Sequence, residues 1–442
     1  MNKASTVMKI LIIGGGAAGM SAASKAKRVD PSSEVIVYDS GNFVSYAECG
    51  LPYYLGGKFD DYGKLIHYPV KEFTEKRGIV VKTGVSIQSV DPEMKFVFFS
   101  DGSRETFDRL IICVGAHPKI DEKFKNSGAV AIRSLDSGIE IKSKIHEKMR
   151  ITVVGDGVLG MELASSFKEG GHEVILVSHH STLFPKISKD ISKSLLDDFK
   201  KKINVELNSE VLDVSKESDG YKVVTTSGSH KTGLVIFATG IEPNTAFLKN
   251  STIDLTESGL IKTDEKMQTN IEYIYAAGDC TTSRDIVTGK SSWHPLAQVS
   301  NKMGRVAGSN AVGSRMAFPG SIGTTLVKIF DYEVGFAGLT FDDAIKEGFT
   351  AEKTVIKAWS RAAYYEGGSE VFIEIVYEEP SGRLLGCQIV GKDNCAWRLN
   401  SVAVAIQAKL SVEELFYTDF GYTPPFGPVW DPIVIAASQS MK

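Results

Sequence analysis

The chain has 442 residues, of which 43% are hydrophobic and 24% charged, a composition typical of folded globular proteins. Its length allows about three domains. Its formal net charge of -4 excludes a general basic surface for nucleic acid or an anionic membrane, so any phosphate group must be bound locally. Five cysteines in so long a chain exclude a secreted disulfide framework and indicate a reducing compartment.

The N-terminal end has one short apolar run. Its apolar run from Ile10 to Ile13 is too short for a signal peptide. No apolar run in the sequence approaches the roughly 18 residues of a membrane span. We therefore expect a cytoplasmic protein with no membrane contact, and we expect the residues before Met8 to form an untied tail.

The first predicted elements, from Lys9 to Asp39, are a strand, a glycine turn, a helix and a second strand. The turn has the pattern GxGxxG, whose glycines allow a tight turn, close approach of a pyrophosphate and packing of the helix on the sheet. A carboxylate after the second strand accepts hydrogen bonds from a ribose. The predicted cofactor contacts of this unit are Gly14, Gly16, Ala17, Ala18, Gly19 and Asp39.

The same pattern returns 141 residues later, when Gly155 is compared with Gly14. Two such units predict two bound dinucleotides. The second strand of this unit ends without the acid that meets the 2′-hydroxyl of NAD, and the missing charge favours the 2′-phosphate of NADPH. His180 is an alternative partner to His179, and a purely solvated role for both histidines stays open. The predicted contacts are Gly155, Gly157, Gly160, Ser178 and His179.

Two apolar strands that end in glycine follow these units. They span Leu110–Pro118, with Gly115, and Leu234–Asn244, and each leads the chain out of one domain toward the next. A later strand ends at Gly278 and Asp279, where a carboxylate can accept hydrogen bonds from the hydroxyl groups of a cofactor.

The chain changes character after about residue 322. A helix predicted from about Ser292 precedes this change. Beyond it, apolar and polar residues alternate as in antiparallel strands, and the segment from Asn394 to Phe416 has the pattern of helices. A third domain of α+β type is therefore expected.

In this order, the motifs resemble those of the pyridine nucleotide-disulfide oxidoreductases, flavoproteins with two dinucleotide folds. The resemblance covers essentially the whole chain. It implies an α/β fold with two Rossmann-like domains, which bind FAD and NADPH or NADH, and a C-terminal α+β domain that forms a homodimer. The implied domains are residues 1–118 with 246–321 for FAD, 119–245 for NAD(P)H and 322–442 for dimerisation, with no rhodanese domain after them.

Cys49 indicates the branch of the family. It has Ser45 at position i-4, where glutathione-reductase-like members carry a second cysteine, so an internal redox disulfide cannot form there. The chain resembles the single-cysteine branch of coenzyme A disulfide reductases, NAD(P)H-dependent sulfur or polysulfide reductases, and NADH oxidases and peroxidases. The oxidases and peroxidases usually carry a histidine where this chain has Ala17, which disfavours oxygen chemistry.

Two tyrosines near the C-terminus match motifs of the coenzyme A disulfide reductases. The segment GYTPPFGPVWDP resembles their YAPP-type segment, and AAYYEGG resembles their Tyr-Tyr loop. The resemblance implies that Tyr422 and Tyr364 reach the cysteine of the partner subunit and assist proton transfer to the departing thiolate. A phenol can donate this proton because it is uncharged at neutral pH. A structural role, in which this segment only pins the C-terminus to the dimer, stays open.

A coenzyme A substrate needs cations for its phosphates. Lys25 and Arg28 are three residues apart on a predicted helix and so share one face, although a solvated face is the alternative. Glu48 departs from the related enzymes, which often carry Asn there. The substrate contacts implied by the resemblance are Ser21, Lys25, Arg28, Ser45, Glu48 and Arg77.

These observations predict an FAD-dependent NAD(P)H:disulfide oxidoreductase. Its substrate is coenzyme A disulfide or a related small disulfide or persulfide, with coenzyme A as substrate or as a mixed disulfide on Cys49. An NAD(P)H-dependent sulfur or polysulfide reductase and an NADH oxidase are the enzymatic alternatives, and a redox-sensing flavoprotein is the non-enzymatic one. We expect no metal, no nucleic acid partner, and a homodimer whose subunits share their active sites.

Overall fold

The structure is a computed structural model that describes residues 7–441, apart from the side chain of residue 194. Most of the predicted N-terminal tail and the outermost residues of the first and last predicted domains lie outside this range. Within it, no helix combines the length and the apolar character that a membrane crossing requires.

The first dinucleotide unit folds as its glycine pattern predicts. Helix α1 begins directly after the glycine turn, with Gly16 as its N-cap, and ends at Val29 just before the helix-breaking Asp30-Pro31 pair. The elements of residues 8–118 are β1 (Lys9–Ile13), α1 (Ala17–Val29), β2 (Glu34–Tyr38), α2 (Leu51–Leu55), β3 (Val80–Lys82), β4 (Ile87–Asp91), β5 (Phe96–Phe99), β6 (Arg104–Thr106), β7 (Arg109–Ile112) and β8 (Ala116–Pro118).

The second unit repeats the first. Gly155 donates its backbone N–H to the carbonyl of Val177, as Gly14 does to the carbonyl of Tyr38. The elements of residues 119–245 are α3 (Leu135–Ser143), β9 (Arg150–Val154), α4 (Val158–Glu169), β10 (Glu173–Val177), α5 (Lys189–Lys202), β11 (Asn204–Glu206), β12 (Val211–Glu217), β13 (Gly220–Thr225), β14 (Gly228–Thr232), β15 (Leu234–Phe237) and β16 (Ile241–Pro243).

The next segment returns the chain to the first sheet. Helix α6 begins at Ala297, later than the predicted Ser292, because Ser291–Ser292 pairs as a short strand and Pro295 follows it. The elements of this segment are β17 (Ile274–Ala276), β18 (Ser283–Arg284), β19 (Ser291–Ser292) and α6 (Ala297–Ala311).

The C-terminal region is α+β, as expected. Strand β22 is an addition to the predicted elements, and it pairs along its whole length with β23. The elements are β20 (Thr325–Ile329), β21 (Tyr332–Gly338), α7 (Phe341–Lys346), β22 (Ala351–Trp359), β23 (Glu370–Glu378), β24 (Arg383–Gly391), α8 (Cys395–Gln407), α9 (Val412–Phe416) and α10 (Pro432–Ser440).

Two parallel sheets carry the glycine turns at the carboxyl ends of their strands. The first has the order β17-β7-β1-β2-β3 and the second the order β11-β10-β9-β15. Their central strands are buried along nearly their whole length, as expected for parallel sheets covered on both faces. Ligands of such sheets bind outside the carboxyl ends of the strands.

The remaining strands are antiparallel. Strands β8 and β16 pair with each other, so the two predicted connecting segments run side by side. The predicted domain limits, after residues 118 and 245, lie at or just beyond the ends of these two strands. These limits remain a proposal. In the C-terminal region, the antiparallel sheet β20-β21-β24-β23-β22 packs against α8, α9 and α10 in a core of its own.

Candidate active site

The first glycine turn leaves an open space at the start of α1. Gly14 has a φ of 103°, and a Cβ atom on it would lie 2.2 Å from the carbonyl oxygen of Cys113. A Cβ on Gly19 would lie 1.8 Å from the carbonyl oxygen of Gly14. At Gly16, in contrast, the nearest atom to such a Cβ is 3.9 Å away. The helix has no side-chain cap and no acid in its first turn, so its free N–H groups fit a pyrophosphate.

Asp39 lies beside this turn. Its carboxylate accepts hydrogen bonds from the backbone N–H groups of Gly15, at 2.6 Å, and Gly41, at 2.7 Å. Burial raises the pKa of Asp39, and these two hydrogen bonds oppose that effect. The predicted ribose acceptor is therefore held at the end of β2.

Asp279 approaches the same region from the end of β17. Its carboxylate accepts a hydrogen bond from the hydroxyl of Ser300, at 2.8 Å, and its carbonyl accepts one from Nε1 of Trp293, at 2.9 Å. Gly278 has a φ of 90°, and a Cβ on it would lie 2.9 Å from the side chain of the buried Ala18. This close packing holds Asp279 near the glycine turn, so the N–H groups of the turn and the carboxylates of Asp39 and Asp279 together fit FAD.

Arg133 connects these groups, and the sequence did not indicate it. Its guanidinium donates to Glu48 at 3.0 Å and lies 3.9 Å from Asp279. Gly115 lies against the same guanidinium, and its φ of 64° favours glycine at that position. The Glu48 carboxylate, which departs from the family pattern, is thus paired with a cation of this chain.

Cys49 lies next to Glu48 in a single turn of 3-10 helix, Glu48–Gly50, and is exposed. A Cβ on Gly50 would lie 2.3 Å from Leu65, so close packing fixes this turn. Partial burial of the thiol by its surroundings is the largest cause that raises the pKa of Cys49, followed by the charge of Glu162 and then that of Glu48. All five cysteines are free, and the other four are buried.

Ser45, the residue at i-4 from Cys49, joins this segment to the glycine turn. It adopts a φ of 52°, and its backbone N–H donates to the carbonyl of Gly15 at 3.0 Å. Its carbonyl accepts from the backbone of His67 at 2.9 Å. The segment that carries the thiol is therefore attached to the predicted FAD cradle.

Glu162 and Tyr53 form a second pair near the thiol. The hydroxyl of Tyr53 donates to Glu162 at 3.0 Å. Burial raises the pKa of Glu162 to about 7, although the hydrogen bond from Tyr53 acts in the opposite direction. Glu162 also raises the pKa of Cys49, which places the carboxylate within electrostatic range of the thiol. A carboxyl group that titrates near neutral pH can exchange protons with its surroundings.

The second glycine turn is also open at the start of its helix. No atom lies within 4 Å of a Cβ built on Gly157, whereas a Cβ on Gly160 would lie 1.9 Å from the carbonyl oxygen of Gly155. Helix α4 has no side-chain cap and no acid in its first turn. These features fit the pyrophosphate of a second dinucleotide.

The three residues after β10 occupy different environments. Ser178 is buried, and its hydroxyl accepts the backbone N–H of His180 at 3.0 Å. His179 is exposed, and its ring centroid lies 3.9 Å from that of His180. His180 is half-buried, and its Nδ1 lies 2.8 Å from Oδ1 of Asp156. The structure therefore presents the histidines, and not the serine hydroxyl, at this end of the sheet.

The basic residues among the predicted coenzyme A contacts lie on helix α1 or against it. Arg77 donates to Ser24 at 3.4 Å and stacks over the ring of Tyr68 at 4.5 Å. Ser24 lies next to Lys25 in the chain and one turn before the exposed Arg28. Ser21 binds Asn301 of α6 at 2.6 Å, so its side chain is already engaged. Lys25 and Arg28 can therefore form a cationic surface beside Arg77, whose charge is partly offset by Glu72 at 3.4 Å.

Tyr364 and Tyr422 are exposed but lie together. Their side chains are 77% and 47% exposed, respectively. The side chain of Tyr364 is the largest cause that raises the pKa of Tyr422. The two segments also touch through the backbone, since Ala362 donates to Pro424 at 3.4 Å. Within one chain this tyrosine pair points into solvent.

The residues that the sequence analysis missed are Arg133, Tyr53, Glu162, Asp156 and Trp293. Of these, Glu162 had a signal, because it is a carboxylate in a helix whose neighbours are apolar and small. No group of three or more His, Cys, Asp or Glu side chains within residues 7–441 is arranged to hold a metal ion.

Comparisons with known proteins cover nearly the whole chain. The family model described as pyridine nucleotide-disulphide oxidoreductase matches residues 8–304, and the one described as its dimerisation domain matches residues 324–432. The NAD(P)H coenzyme A polysulfide/persulfide reductase of Pyrococcus horikoshii is 38% identical over 97% of each chain. A solved NAD-dependent persulfide reductase from A. fulgidus is 30% identical, with a TM-score of 0.94 over 98% of this chain and 83% of that one.

Two other similar proteins carry different names. The NADH oxidase of Methanocaldococcus jannaschii is 30% identical over 98% of this chain and 99% of its own length. The coenzyme A disulfide reductase of Staphylococcus epidermidis is 28% identical over 95% of this chain and 96% of its own. The similar proteins thus include reductases of sulfur–sulfur bonds and an oxidase.

Proposed function

The chain belongs to the pyridine nucleotide-disulphide oxidoreductase family, and we propose that it is an FAD-dependent, NAD(P)H-driven reductase of sulfur–sulfur bonds in coenzyme A compounds. Its substrates are the persulfide or polysulfide of coenzyme A and coenzyme A disulfide. The observation that carries this proposal is Cys49, a lone exposed thiol on a turn attached to the first glycine loop.

The two open glycine turns support the binding of FAD and a nicotinamide nucleotide. The first turn, Asp39 and Asp279 would hold FAD, and the turn at Gly157 would hold the pyrophosphate of NAD(P)H. When bound, FAD supplies the two-electron chemistry that links a nicotinamide to a sulfur. The protein residues supply binding, orientation and proton transfer.

Cys49 performs the covalent chemistry on the substrate. Its thiolate attacks the coenzyme A sulfur of a persulfide, forms the mixed disulfide between Cys49 and coenzyme A, and releases hydrosulfide. With coenzyme A disulfide, the same attack releases one coenzyme A thiolate. Two electrons and two protons, provided overall by NAD(P)H and water, convert the mixed disulfide to the Cys49 thiol and free coenzyme A.

The neighbouring acids control the protons of this chemistry. Because burial and the charges of Glu162 and Glu48 raise the pKa of Cys49, the thiol needs a base before it can attack. Glu162, with a pKa of about 7, is suited to accept that proton near neutral pH. The pair of Tyr364 and Tyr422 is suited to protonate the leaving thiolate, in the site of the partner subunit.

The assembly and the setting follow from the same features. A dimerisation domain matches residues 324–432, and the exposed tyrosine pair lies within that span. We propose a homodimer in which each subunit completes the site of the other. Five free cysteines support a reducing, cytoplasmic location.

Replacement of the thiol tests the proposal. Cys49→Ser is expected to abolish NAD(P)H-dependent reduction of coenzyme A persulfide and coenzyme A disulfide, while the flavin absorbance is retained because no FAD contact needs the thiol. Mass spectrometry of the non-reduced wild-type protein is expected to find coenzyme A on Cys49, and the Ser variant is the matched control. Undiminished sulfur reduction by Cys49→Ser would contradict the mechanism.

NADH oxidase is the second candidate function, because one of the similar proteins carries that name. Ala17 lies at the start of α1, where the oxidases usually carry a histidine, and this difference disfavours oxygen as the main acceptor. Oxygen uptake in the absence of any disulfide separates the two functions. A rate of oxygen reduction that equals the best rate with a sulfur substrate would favour the oxidase.

A further inference from the structure

The two dinucleotide units form corresponding hydrogen bonds just after their second strands. Asp39 accepts the backbone N–H of Gly41, and Ser178 accepts the backbone N–H of His180. The carbonyl of Gly41 accepts from Gly84, and that of His180 accepts from Asn208, both at 2.9 Å. Ser178 is therefore the structural equivalent of Asp39, and His180 is the equivalent of Gly41.

The position of the carboxylate differs between the two units. In the first unit, Asp39 lies at the strand end, and a Cβ on Gly15 of the glycine turn would lie 3.2 Å from its Oδ2. In the second unit the strand end carries Ser178, and Asp156 occupies the position that corresponds to Gly15. The carboxylate thus comes from the glycine turn and not from the strand end.

Asp156 is not available to a ribose hydroxyl. Only 2% of its surface is exposed, its Oδ1 contacts Nδ1 of His180, and its Oδ2 is buried without a hydrogen-bond partner among residues 7–441. The direct contact between a carboxylate and a 2′-hydroxyl that is usual for NADH is therefore blocked. The side chain that Asp156 orients is the imidazole of His180.

His180 is oriented as a ligand-facing group. Its Nδ1 faces the carboxylate, which fixes the ring and turns Nε2 away from Asp156. His180 is 36% exposed, and the exposed His179 packs against its ring. Since the ribose in the first unit would meet Asp39, the corresponding ribose in the second unit would meet residues 178–180.

We propose that Asp156 positions His180 to bind the 2′-phosphate of adenosine, so that NADPH is the preferred reductant. This inference rests on the proposed function for its nicotinamide nucleotide, and it deepens that function by naming the residue that selects the nucleotide. An imidazole that carries a proton on both nitrogens can donate two hydrogen bonds. In that form Nε2 donates to the phosphate while Nδ1 donates to Asp156.

The test uses two probes that contain no nicotinamide, 2′,5′-ADP and 5′-AMP, which differ only in the 2′-phosphate. The FAD-loaded dimer is titrated with each by calorimetry. The wild type is expected to bind 2′,5′-ADP at least about tenfold more tightly, as one charge-assisted hydrogen bond provides. His180→Ala is expected to reduce the ratio of the two affinities to about threefold or less without weakening the binding of 5′-AMP. His146→Ala, which removes an exposed imidazole elsewhere in the chain, is the control.

Asp156→Asn tests the positioning role. It is expected to weaken the binding of 2′,5′-ADP, since the imidazole loses its charged partner. For the same reason it is expected to raise the KM for NADPH with little change in kcat. Equal binding of both probes by the wild type, an unchanged ratio in His180→Ala, or tighter 2′,5′-ADP binding by Asp156→Asn would overturn the proposal. Turnover of coenzyme A persulfide with either nucleotide is measured separately, so failure of the proposed function would be recognised independently of these titrations.

Discussion

The buried guanidinium of Arg398 donates to both carboxylate oxygens of Asp431, at 2.8 to 3.2 Å. The same guanidinium donates to the carbonyl of Ser360 at 2.8 Å. Asp431 follows the segment that carries Tyr422, and Ser360 precedes the segment that carries Tyr364. One fully buried side chain therefore fixes both tyrosine-bearing segments.

Arg398→Met should lower the free energy of unfolding by about 3 kcal/mol or more, because it leaves the Asp431 carboxylate buried without a counter-ion. Arg361→Met is the matched control, since Arg361 is 25% exposed in its pair with Asp393 and should cost less. Urea unfolding of the FAD-loaded protein measures both values. Equal losses in the two variants would contradict a special role for Arg398.

Glu162→Gln should change how stability depends on pH. The folded pKa of Glu162 is about 7 and its ordinary value is 4.5, so between these values the native state binds more protons than the unfolded state. The native state of the wild type therefore becomes less stable as the pH rises through that window, because the buried carboxyl group has to ionise. The Gln variant should gain stability relative to the wild type between pH 5 and pH 8 in urea unfolding. Glu169→Gln, on the same helix but exposed and paired with Lys58, is the control.

The local parts of the site were predictable because glycine patterns have local causes. Gly14 requires a φ of 103° and Gly19 must pack on a backbone carbonyl, so residue type and spacing alone indicate the turn. The strands on either side are apolar runs of ordinary length. The expected family, fold and cofactors are accordingly confirmed.

The groups around the thiol were not predictable in this way. Arg133 meets Glu48 across 85 residues of chain, and Tyr53 meets Glu162 across 109. Such pairs arise from the packing of segments that are distant in the chain, and no spacing rule connects their positions. The roles of the individual site residues remain predictions for the same reason, since they depend on molecules that approach this surface.

The pKa of the Cys49 thiol offers a direct test of its surroundings. Because the charge of Glu162 raises that pKa, Glu162→Gln should lower it and increase the rate of alkylation by iodoacetamide between pH 7 and pH 9. The four buried cysteines should not interfere in the folded protein. The midpoint of the pH–rate profile is the measurement, and Glu169→Gln is again the control. A midpoint that rises or stays constant would refute the electrostatic link.

The exposed pair of Tyr364 and Tyr422 can be used to test the proposed sharing of sites between subunits. Tyr422→Phe should slow thiolate release by roughly 10²-fold, near the lower end of general acid catalysis, because Tyr364 can partly substitute. Reduction of the flavin by NADPH should change little, and rapid mixing separates the two half-reactions.

A mixed dimer of one Cys49→Ser chain and one Tyr422→Phe chain tests the sharing itself. If Tyr422 of the partner subunit serves Cys49, one site of this dimer lacks both groups and the other is intact. About half of the wild-type activity per dimer should then remain, since the intact site works alone. If each Tyr422 serves its own chain, one site lacks Cys49 and the other lacks the Tyr422 hydroxyl, and activity per dimer should fall to about half that of the Tyr422→Phe homodimer. Activity at that level would refute the shared arrangement, because no intact site would exist.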